Sequence, residues 1–480
     1  MQSGRASTAQ LVSPTWRALA APARPAETAE TTETREGPAG VAAERLFCEQ
    51  LLRLGVEQLL DLGGSDRFGA HMRHLGYAGA LFSLQPNEGR YRELLARSQA
   101  DPLWFPLARQ GAGSSAHFTQ LDHERVYMQP PGRLLRSEVM QGIEALRIDA
   151  QVLGIEALDG YRPLLDRIRL ILIEGASAAG GASSLAQRRD AFAQPLAALG
   201  FERLTQDAAP GDQGGCVMWR AALKPRTEIR GVSLAALVTS IGGTLERRLP
   251  DGSDLGPLWL QSCMHSWQRT AAAVVSVAER EPPQGIRWAR TQARPSLAQM
   301  LAALPIESDQ HLLLTNADIV LTDALPPLLA RLHGQAVYYG SRLDVERGTD
   351  GKSGLVPRGI YEMGFDLFVL PQAFVRAVLS DALLLPEQLR IGEPWWDYLL
   401  PLLALALGFP LKKLNGGPVL AMHYLHPSRY STELWLRNRE HFIAVCSRLL
   451  GRMDCHATGV ISELLAHLDQ IPHLVCRCLP

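Results

Sequence analysis

The feature of this sequence that most restricts its fold is a repeated alternation of short apolar runs with stretches of helical spacing. Between residues 58 and 98, the runs QLLDLGG and ALFSLQP are typical of strands, whereas AHMRHLG and GRYRELLARS are typical of helices. Strand, helix, strand and helix in that order predict right-handed crossovers and a parallel sheet. Further strand-like runs follow in LRIDAQVLG, IRLILIEGA and GCVMWRAAL, so the sequence predicts a Rossmann-like α/β domain.

A second alternation begins after residue 230. VSLAALVTSI, AAAVVSVAE and HLLLTNADIVL are strand-like, and LGPLWLQSCMHSWQR and SLAQMLAAL between them have helical spacing. Because this series has its own first strand and the chain is long enough for more than one domain, we expect two Rossmann-like domains, each with a mainly parallel sheet flanked by helices. The predicted domains cover residues 43–223 and 224–450, and a helical tail covers 451–480.

The first 42 residues differ from the rest of the chain in composition. They are rich in Ala, Thr, Glu and Pro and contain few large apolar residues. Such a segment cannot bury enough apolar surface to offset the conformational entropy that it would lose on ordering. The sequence therefore predicts a disordered leader over residues 1–42, with organised structure beginning near Ala43.

The charge and the apolar runs of the chain restrict its partners. Lys and Arg number 48 against 49 Asp and Glu, a formal net charge of -1, and no basic block is present. Nucleic acid binding needs a positive patch, so we expect no nucleic-acid partner. No apolar run approaches the roughly 18 residues of a membrane-spanning helix, and the N-terminus lacks the pattern of a secretory signal. We expect a cytoplasmic protein with no transmembrane segment.

Seven cysteines are spread along the chain without the spacing of a disulfide framework. Free thiols suit a reducing compartment, which agrees with a cytoplasmic location. Cys476 and Cys478, with Cys455 and His456, lack the usual C-x-x-C spacing of zinc sites, so we expect no metal there.

A glycine turn follows the first predicted strand. LLDLGGSDRFG places Asp61 at the strand end and Gly63 and Gly64 directly after it. Glycines let the backbone come close to a ligand, and the helix that follows presents unpaired N–H groups. Many Rossmann-like folds also need such a turn for packing alone, so the turn is consistent with either role.

The surrounding segments resemble FkbM-type methyltransferases, which use S-adenosylmethionine. LLDLGGSDRFGAHMRHLGYAGALFSLQPNEGRYRELL is similar to that family's glycine loop, first helix and second strand, and LRIDAQVLGIEALDGYRPLL is similar to its Lys-Ile-Asp-x-Gln-Gly-x-Glu stretch. The resemblance covers residues 45 to 222. It implies that Asp61, Gly63, Gly64 and Gln85 bind S-adenosylmethionine and that Asp149 is catalytic.

The sequence departs from this family at two carboxylates. Gln85 stands where the family has a glutamate that holds the cofactor ribose, and a neutral amide accepts hydrogen bonds through only one oxygen. Gly154 stands where the family has an acidic residue five positions after Asp149. The first domain is thus expected to be either an altered methyltransferase or a structural domain.

The segment HLLLTNADIVL places Asn316 and Asp318 between two apolar runs. Their side chains could cap a turn. The segment also resembles the Asp-x-Asp-like element of GT-A glycosyltransferases, with Asn316 in the first acidic position. In that family the element binds a divalent ion and the diphosphate of a nucleotide-sugar, so the resemblance implies Mg²⁺ or Mn²⁺ at Asn316 and Asp318.

Two later segments extend the resemblance to residues 230 to 440. AMHYLHPSRYSTELW contains His423 and His426, and the resemblance implies that one of them completes the metal site, with His423 the preferred ligand. YEMGFDLFVLP and IGEPWWDYLLPLLALALGF precede it, and the resemblance implies that Asp397 or Glu393 in the second of these acts as a catalytic base.

The start of the last segment allows two interpretations. Acidic residues at a helix N-terminus are favoured by the helix dipole without any function. Alternatively, Trp395 and Trp396 would be exposed beside Glu393 and Asp397, where their rings would suit the apolar face of a sugar.

Together these features predict a carbohydrate-modifying transferase. An FkbM-like methyltransferase domain would be joined to a GT-A-like glycosyltransferase domain that uses a metal ion and a nucleotide-sugar donor, with a sugar or glycan as acceptor. The alternative is a non-catalytic scaffold or regulatory protein built from two decayed transferase domains, which Gln85, Gly154 and Asn316 favour.

Overall fold

The structure is a computed structural model. It describes residues 38–107, 111–112, 117–121, 124–129, 137–149, 165, 167–174, 191–204, 216–221, 231–248, 252–303, 310–347, 355–361, 364–414, 417–426 and 430–450. The predicted tail over 451–480, the predicted domain boundary at 223–230 and most of the predicted leader lie outside the described residues. Residues 38–42 of that leader belong to a helix, which begins at Pro38 and not near Ala43.

The first half of the chain alternates helices and strands. Up to residue 221, the described helices are α1 (Pro38–Leu54), α2 (Asp66–His74), α3 (Glu88–Ser98), α4 (Ser137–Gly142) and α5 (Ala193–Ala198). The described strands of this half are β1 (Gln58–Leu62), β2 (Ala80–Leu84), β3 (Trp104–Leu107), β4 (Gly111–Ala112), β5 (His117–Leu121), β6 (Glu124–Gln129), β7 (Ala145–Asp149), β8 (Leu170–Glu174), β9 (Phe201–Arg203) and β10 (Cys216–Ala221).

Seven of these strands form the first large sheet, in the order β3-β2-β1-β7-β8-β10-β9. Strands β3, β2, β1, β7 and β8 lie side by side in this order and are parallel. Strand β10 is antiparallel to both β8 and β9. The strand order reverses beside β1, so a crevice for ligands is expected between the carboxyl ends of β1 and β7. Strands β4, β6 and β5 form a separate three-stranded sheet.

The second half repeats this arrangement. Its described helices are α6 (Gly256–Thr270), α7 (Leu297–Leu301), α8 (Leu325–Leu329), α9 (Gln372–Leu379), α10 (Trp396–Ala406) and α11 (Thr432–Leu450). Its described strands are β11 (Ser233–Thr239), β12 (Val274–Ala278), β13 (Arg287–Arg290), β14 (Gln310–Thr315), β15 (Ile319–Leu321), β16 (Val337–Gly340), β17 (Arg342–Arg347), β18 (Leu355–Tyr361), β19 (Leu367–Pro371), β20 (Leu411–Lys413) and β21 (Ala421–Tyr424).

The second large sheet has the order β13-β12-β11-β14-β19-β16-β20. Strands β13, β12, β11 and β14 lie side by side in this order and are parallel. Strand β19 is antiparallel to both β14 and β16, and β20 is parallel to β16. The predicted fold class, two mainly parallel sheets flanked by helices, is therefore confirmed. A small sheet, β15-β21-β17-β18, stands beside the second large sheet.

The central strands form where the sequence is continuously apolar, because both faces of each sheet are covered. All five residues of β1, β2 and β12 are buried, which is the pattern of strands inside a helix-covered parallel sheet. Side-chain caps fix helix starts: the Ser65 hydroxyl accepts from the Phe68 N–H at 3.0 Å at the start of α2. Within the described residues, no helix has both the length and the apolar character needed to cross a lipid bilayer.

The two halves share an apolar core. The stacked rings of Phe82 and Phe105 in the first half meet the His333 ring of the second half edge-on, with ring centroids 5.8 and 5.9 Å apart. Phe105 also contacts the ring of Tyr338. One continuous cluster of buried apolar residues includes members of both halves, so the halves pack as one body.

A buried lysine reinforces this junction. Lys412 in β20 donates to the backbone oxygens of Ser98 and Trp104 in the first half, at 2.6 and 2.8 Å. Burial lowers the pKa of Lys412 to about 7. The edges of the two large sheets are thus joined through hydrogen bonds as well as through apolar contacts.

Candidate functional site

A cavity of about 760 Å³ lies in the second half. Its lining includes Ser240, Glu279 and Asn316, which follow β11, β12 and β14 directly. The cavity therefore opens at the carboxyl ends of parallel strands, beside the pair β11 and β14 where the strand order reverses. In open α/β sheets this is the place where ligands bind.

Three side chains in this cavity could hold a metal ion. Potential ligand atoms of Asp318, His423 and His426 all lie within 4.8 Å of one another. The Nε2 atoms of His423 and His426 are 3.4 and 3.3 Å from Oδ2 of Asp318. Asp318 and His423 are two of the metal ligands expected from the sequence, and His426 was the alternative histidine.

The small sheet explains how residues more than a hundred positions apart meet. Asp318 directly precedes β15, and β15 pairs antiparallel with β21 so that Ile319 lies opposite His423. On its other side β21 pairs with β17, which places Asp344 opposite His423. The carboxylate, the imidazole and a second carboxylate therefore lie across three adjacent strands.

Asp344 fixes the orientation of His423. Its Oδ1 atom is 2.9 Å from Nδ1 of His423 and 2.9 Å from Nε of Arg342. A carboxylate only accepts hydrogen bonds, so Nδ1 carries a proton and Nε2 is directed at Asp318. A carboxylate behind a histidine in this way is the usual outer support of a histidine that binds metal.

The charge of Asp318 is strongly stabilised. Burial acts to raise its pKa, but hydrogen bonds from His423 and His426 and the charge of Arg247 outweigh burial and hold the pKa well below its usual range. Burial likewise acts to lower the pKa of His423, and its bonds to Asp318 and Asp344 outweigh this effect and raise it. The site therefore has an ionised carboxylate beside two imidazoles.

This donor set fits a transition metal better than Mg²⁺. Mg²⁺ prefers oxygen ligands in near-ideal octahedral geometry, whereas imidazole nitrogen suits Zn²⁺, Cu²⁺, Fe²⁺ and Ni²⁺. Two histidines and one aspartate therefore argue against Mg²⁺, and of the two ions that the sequence suggested they leave the transition metal Mn²⁺. The chemistry of the residues fits a divalent cation at Asp318.

Asn316 lies in the same cavity but has a different contact. Its side-chain amide donates to Oδ1 of Asp366, whose Oδ2 is 2.7 Å from Nη1 of Arg342. The backbone oxygen of Asp366 accepts from the Thr315 hydroxyl at 2.7 Å. In this arrangement Asn316 joins β14 to the residues before β19, and His426 takes the third place in the cluster.

Asp397 and Glu393 line the same cavity, and each accepts a hydrogen bond from a residue outside the cluster. Asp397 is in the first turn of α10, and its Oδ2 accepts from the Phe365 N–H at 2.9 Å. Burial raises the pKa of Asp397 to about 7 against the lowering effect of that bond, and the charge of Asp366 raises it further. Glu393 precedes the helix and accepts from the Asn438 amide at 3.2 Å.

The interpretation of Trp395 and Trp396 as exposed rings beside these carboxylates is wrong. They are 1% and 2% exposed, because the start of α10 packs against Trp435 and Phe442 of α11. Trp395 has φ of 81°, a strained value for a bulky residue, and its Nε1 donates to the backbone oxygen of Trp435 at 3.0 Å. Tyr430, 46% exposed, is an aromatic residue of the cavity that does face solvent.

The glycine turn of the first half also lies at carboxyl strand ends. Gly63 has φ of 95°, and a side chain there would put its Cβ 2.7 Å from Cβ of Asp149, so glycine is required. Asp61 is completely buried and its Oδ1 is 2.9 Å from Nη1 of Arg147, which also pairs with Glu174. Burial raises the pKa of Asp61 to about 6, and the charge of Arg147 limits the rise.

Gln85 and Gly64 are bound to each other in this turn. The Gln85 amide nitrogen donates to the backbone oxygen of Gly64, and its oxygen accepts from the Asn87 N–H at 2.9 Å. Gln85 is 2% exposed. Asp61, Gly63, Gly64, Gln85 and Asp149 thus lie close together around the glycine turn, and the Gln85 side chain is turned to the loop. That these residues bind S-adenosylmethionine stays a prediction.

Arg247, Arg342 and Asp344, three charged residues that line the cavity near Asp318 and His423, were not singled out from the sequence. The segment RLDVER does contain a signal for two of them, because Arg342, Asp344 and Glu346 alternate with Leu343 and Val345. Such alternation predicts a strand with one polar face. No comparable signal marks Arg247, which belongs to a loop.

Comparisons with known proteins give similarity at the level of solved structures. No protein-family model matches the chain, and no curated protein matches it. A candidate caffeoyl-CoA O-methyltransferase from Staphylococcus aureus is 11% identical, with 38% of this chain and 83% of that chain covered and a TM-score of 0.26. A ribosomal protein L11 methylase from Lactobacillus delbrueckii subsp. bulgaricus is 12% identical, with 39% and 81% covered and a TM-score of 0.24.

A third solved structure is a protein of the NADB-Rossmann superfamily from Streptococcus agalactiae, 14% identical, with 36% of this chain and 65% of that chain covered and a TM-score of 0.23. Two of these three solved structures are thus described as methyltransferases, and the third as a Rossmann-type protein. None of these three similarities is close enough to assign the chain to a family.

Proposed function

We propose that the second half of the chain is a metal-dependent glycosyltransferase that moves a sugar from a nucleotide-sugar donor to a hydroxyl of a sugar or glycan acceptor. The observation that carries the proposal is the cluster of Asp318, His423 and His426 in a cavity at the strand-order reversal of the second sheet. A cavity of about 760 Å³ has the size of a small-molecule site.

The position of Asn316 and Asp318 supports the GT-A part of this proposal. Both residues follow β14, a central strand of the second large sheet. The GT-A glycosyltransferases that the sequence resembles have their metal-binding element at the end of a central strand.

Asp318, His423 and His426 would hold the cation, with Asp344 keeping His423 in place. When bound, a divalent ion contacts diphosphate oxygens and stabilises the negative charge that develops on the departing nucleotide. The protein supplies the position of the ligands and a partly enclosed cavity, in which such electrostatic stabilisation is stronger than in water.

Asp397 is suited to act as the base. Its pKa of about 7 lies near neutral pH, where a general base is most effective. In an inverting transfer its carboxylate would accept the proton of the acceptor hydroxyl as that oxygen attacks the sugar. Glu393 lines the same cavity and is the second candidate for this role.

For the first half we propose S-adenosylmethionine as a weakly held ligand and Asp149 as a catalytic residue. The order of its sheet, 3-2-1-4-5-7-6 with the seventh strand antiparallel, supports a methyltransferase-like fold. Gln85 is the feature against tight binding, because its amide is bonded to the glycine loop. Free buried thiols such as Cys48 are consistent with a reducing compartment, and we propose the cytoplasm as the location.

Thermal unfolding with ligands tests the proposal. Ligand at 100 times its Kd stabilises a folded protein by about 2.7 kcal/mol, so UDP or GDP with Mn²⁺ should raise the Tm of the full chain. Asp318→Ala should abolish that shift, a loss of about 100-fold or more in affinity. Asp323→Ala is the matched control, because Asp323 is 78% exposed and pairs with Arg269 at the surface.

The Tm of the unsubstituted chain with nucleotide and Mn²⁺ can also contradict the proposal. If neither nucleotide with Mn²⁺ changes the Tm of the unsubstituted chain, the second half is no glycosyltransferase of this kind. The non-catalytic scaffold or regulatory protein is then the better account.

A further inference from the structure

Arg247 lies against the carboxylate that would bind the metal. Its Nη2 atom is 2.6 Å from Oδ2 of Asp318, and the Arg247 side chain is 3% exposed. The same oxygen faces Nε2 of His423 and Nε2 of His426. A single carboxylate oxygen is therefore shared by one guanidinium and two imidazoles, at the point where a divalent cation would need it.

The loop between β11 and α6 holds Arg247 in this position. The Arg247 N–H donates to Oδ1 of Asp254 at 2.6 Å, and the Gly256 N–H donates to the same oxygen at 2.8 Å. The Leu255 N–H donates to the backbone oxygen of Arg247 at 3.0 Å, and Arg248 forms an isolated bridge with Asp254. These bonds tie residues 247–248 to residues 254–256, so the backbone at Arg247 is fixed beside Asp318.

A guanidinium and a divalent cation cannot both use Asp318 at low cost. The arginine side chain stays charged at any pH that the protein experiences, so it cannot remove its charge by losing a proton. Two positive groups at neighbouring positions repel each other strongly where burial reduces screening by water. Either the metal stays out or Arg247 moves away.

We propose that Arg247 is a resident counter-ion of Asp318 that competes with the divalent cation and is released by the diphosphate of the nucleotide. A guanidinium binds phosphate oxygens through two parallel hydrogen bonds, so an arriving diphosphate gives Arg247 an alternative anion. Metal and nucleotide then bind cooperatively, and each raises the affinity for the other by the same factor. This inference rests on the proposed metal-dependent function and concerns its regulation.

Binding of Mn²⁺ alone tests the competition. Equilibrium dialysis of the full chain without nucleotide should give a Kd at least tenfold lower for Arg247→Gln than for the unsubstituted protein. Arg280→Gln is the matched control, because Arg280 lines the same cavity and the change removes the same charge. Its Kd for Mn²⁺ should stay within about twofold of the unsubstituted value. Equal or weaker binding by Arg247→Gln would overturn the inference while leaving the metal site intact.

A second measurement separates the coupling from the competition. The Kd for Mn²⁺ is measured with and without UDP, and again with and without GDP, in the unsubstituted protein and in Arg247→Lys, which keeps the charge on a different head group. The unsubstituted protein should bind Mn²⁺ at least tenfold more tightly with one of the nucleotides, and Arg247→Lys should lose most of this gain. Unchanged coupling in Arg247→Lys counts against the inference. Absence of Mn²⁺ binding in every protein and condition overturns the proposed metal site itself.

Discussion

The two large sheets each place an aspartate at or just beyond the carboxyl end of a central strand and pair it with an arginine, yet the surroundings of the two pairs differ. In the first half Asp61 is completely buried, and Arg147 pairs with Glu174 as well. In the second half Asp318 is 19% exposed and lines a cavity of about 760 Å³. The first pair belongs to the core, and the second lies in a ligand-sized space.

The two aspartate–arginine ion pairs therefore have different roles. Two charges inside a protein lose their hydration, and their attraction compensates for that loss only when further hydrogen bonds satisfy the groups. Arg147 meets this condition through two carboxylates, which makes it a structural brace of the glycine turn. Arg247 has its loop and Asp318 as partners beside the cavity, which allows a ligand to compete for it.

A substitution at Arg147 is expected to have the largest effect, a loss of stability. Arg147→Met should lower the free energy of unfolding by about 3–5 kcal/mol, because it leaves the fully buried Asp61 and the partly buried Glu174 without a counter-charge. Urea unfolding of the full chain measures this change. Arg97→Met is the control, because Arg97 pairs with Asp66 at the surface, where an ion pair contributes about 1 kcal/mol or less. A loss below about 1 kcal/mol for Arg147→Met would show that the first pair is no brace.

The strands that flank both sites could be predicted from the sequence. Both faces of the parallel sheets are covered, so their central strands consist of short apolar runs that a local pattern reveals. This holds for β1, β2, β11 and β14. The turn at Asp318 could be predicted for the same reason, since it interrupts two such runs. The alternation of helices and strands then fixed the position of that turn at a sheet edge where ligands bind.

Other features depend on contacts between distant segments and could not be predicted. His423 meets Asp318 because β15 and β21 pair across about 105 residues, and no local pattern encodes that pairing. Trp395 is buried because α11 covers the start of α10, which is also a tertiary effect. Arg247 is held by a loop whose conformation follows from Asp254 and not from any periodicity.

A smaller effect is expected from the support of the metal ligand. Asp344→Asn should weaken Mn²⁺ binding by about 10- to 100-fold, because an amide holds the Nδ1–H of His423 less well and the Nε2 atom is then less well directed. Isothermal titration with Mn²⁺ in the presence of UDP or GDP measures the change. A weaker affinity would show that the cavity in the second half has a supporting carboxylate behind its histidine.

The matched control for that experiment lies on the same strand. Glu346→Gln changes a carboxylate two positions further along β17 that pairs with the exposed Arg358. Its Mn²⁺ affinity should remain that of the unsubstituted protein. If both substitutions weaken binding equally, the effect reports on β17 in general, and Asp344 has no specific role in orienting His423.

A modest gain in cofactor affinity is expected from a substitution at Gln85 in the first half. Gln85→Glu restores a carboxylate at the end of β2, and a hydrogen bond to a charged group is worth about 1 kcal/mol more than one between neutral groups. The carboxylate cannot donate to the backbone oxygen of Gly64, so it is expected to turn from the loop toward a ribose hydroxyl pair. Binding of S-adenosylmethionine, measured by isothermal titration, should become about 5- to 10-fold tighter.

Gln99→Glu adds the same charge on the exposed end of α3 and should leave that affinity unchanged. If Gln85→Glu binds S-adenosylmethionine no better than the Gln99→Glu control, the loop remains closed whatever residue stands at position 85, and the first half serves as a structural partner of the second. If the unsubstituted protein already binds S-adenosylmethionine tightly, the bond between Gln85 and Gly64 opens readily on ligand binding. The two halves would then differ in how their sites open, and both would be ligand-binding domains.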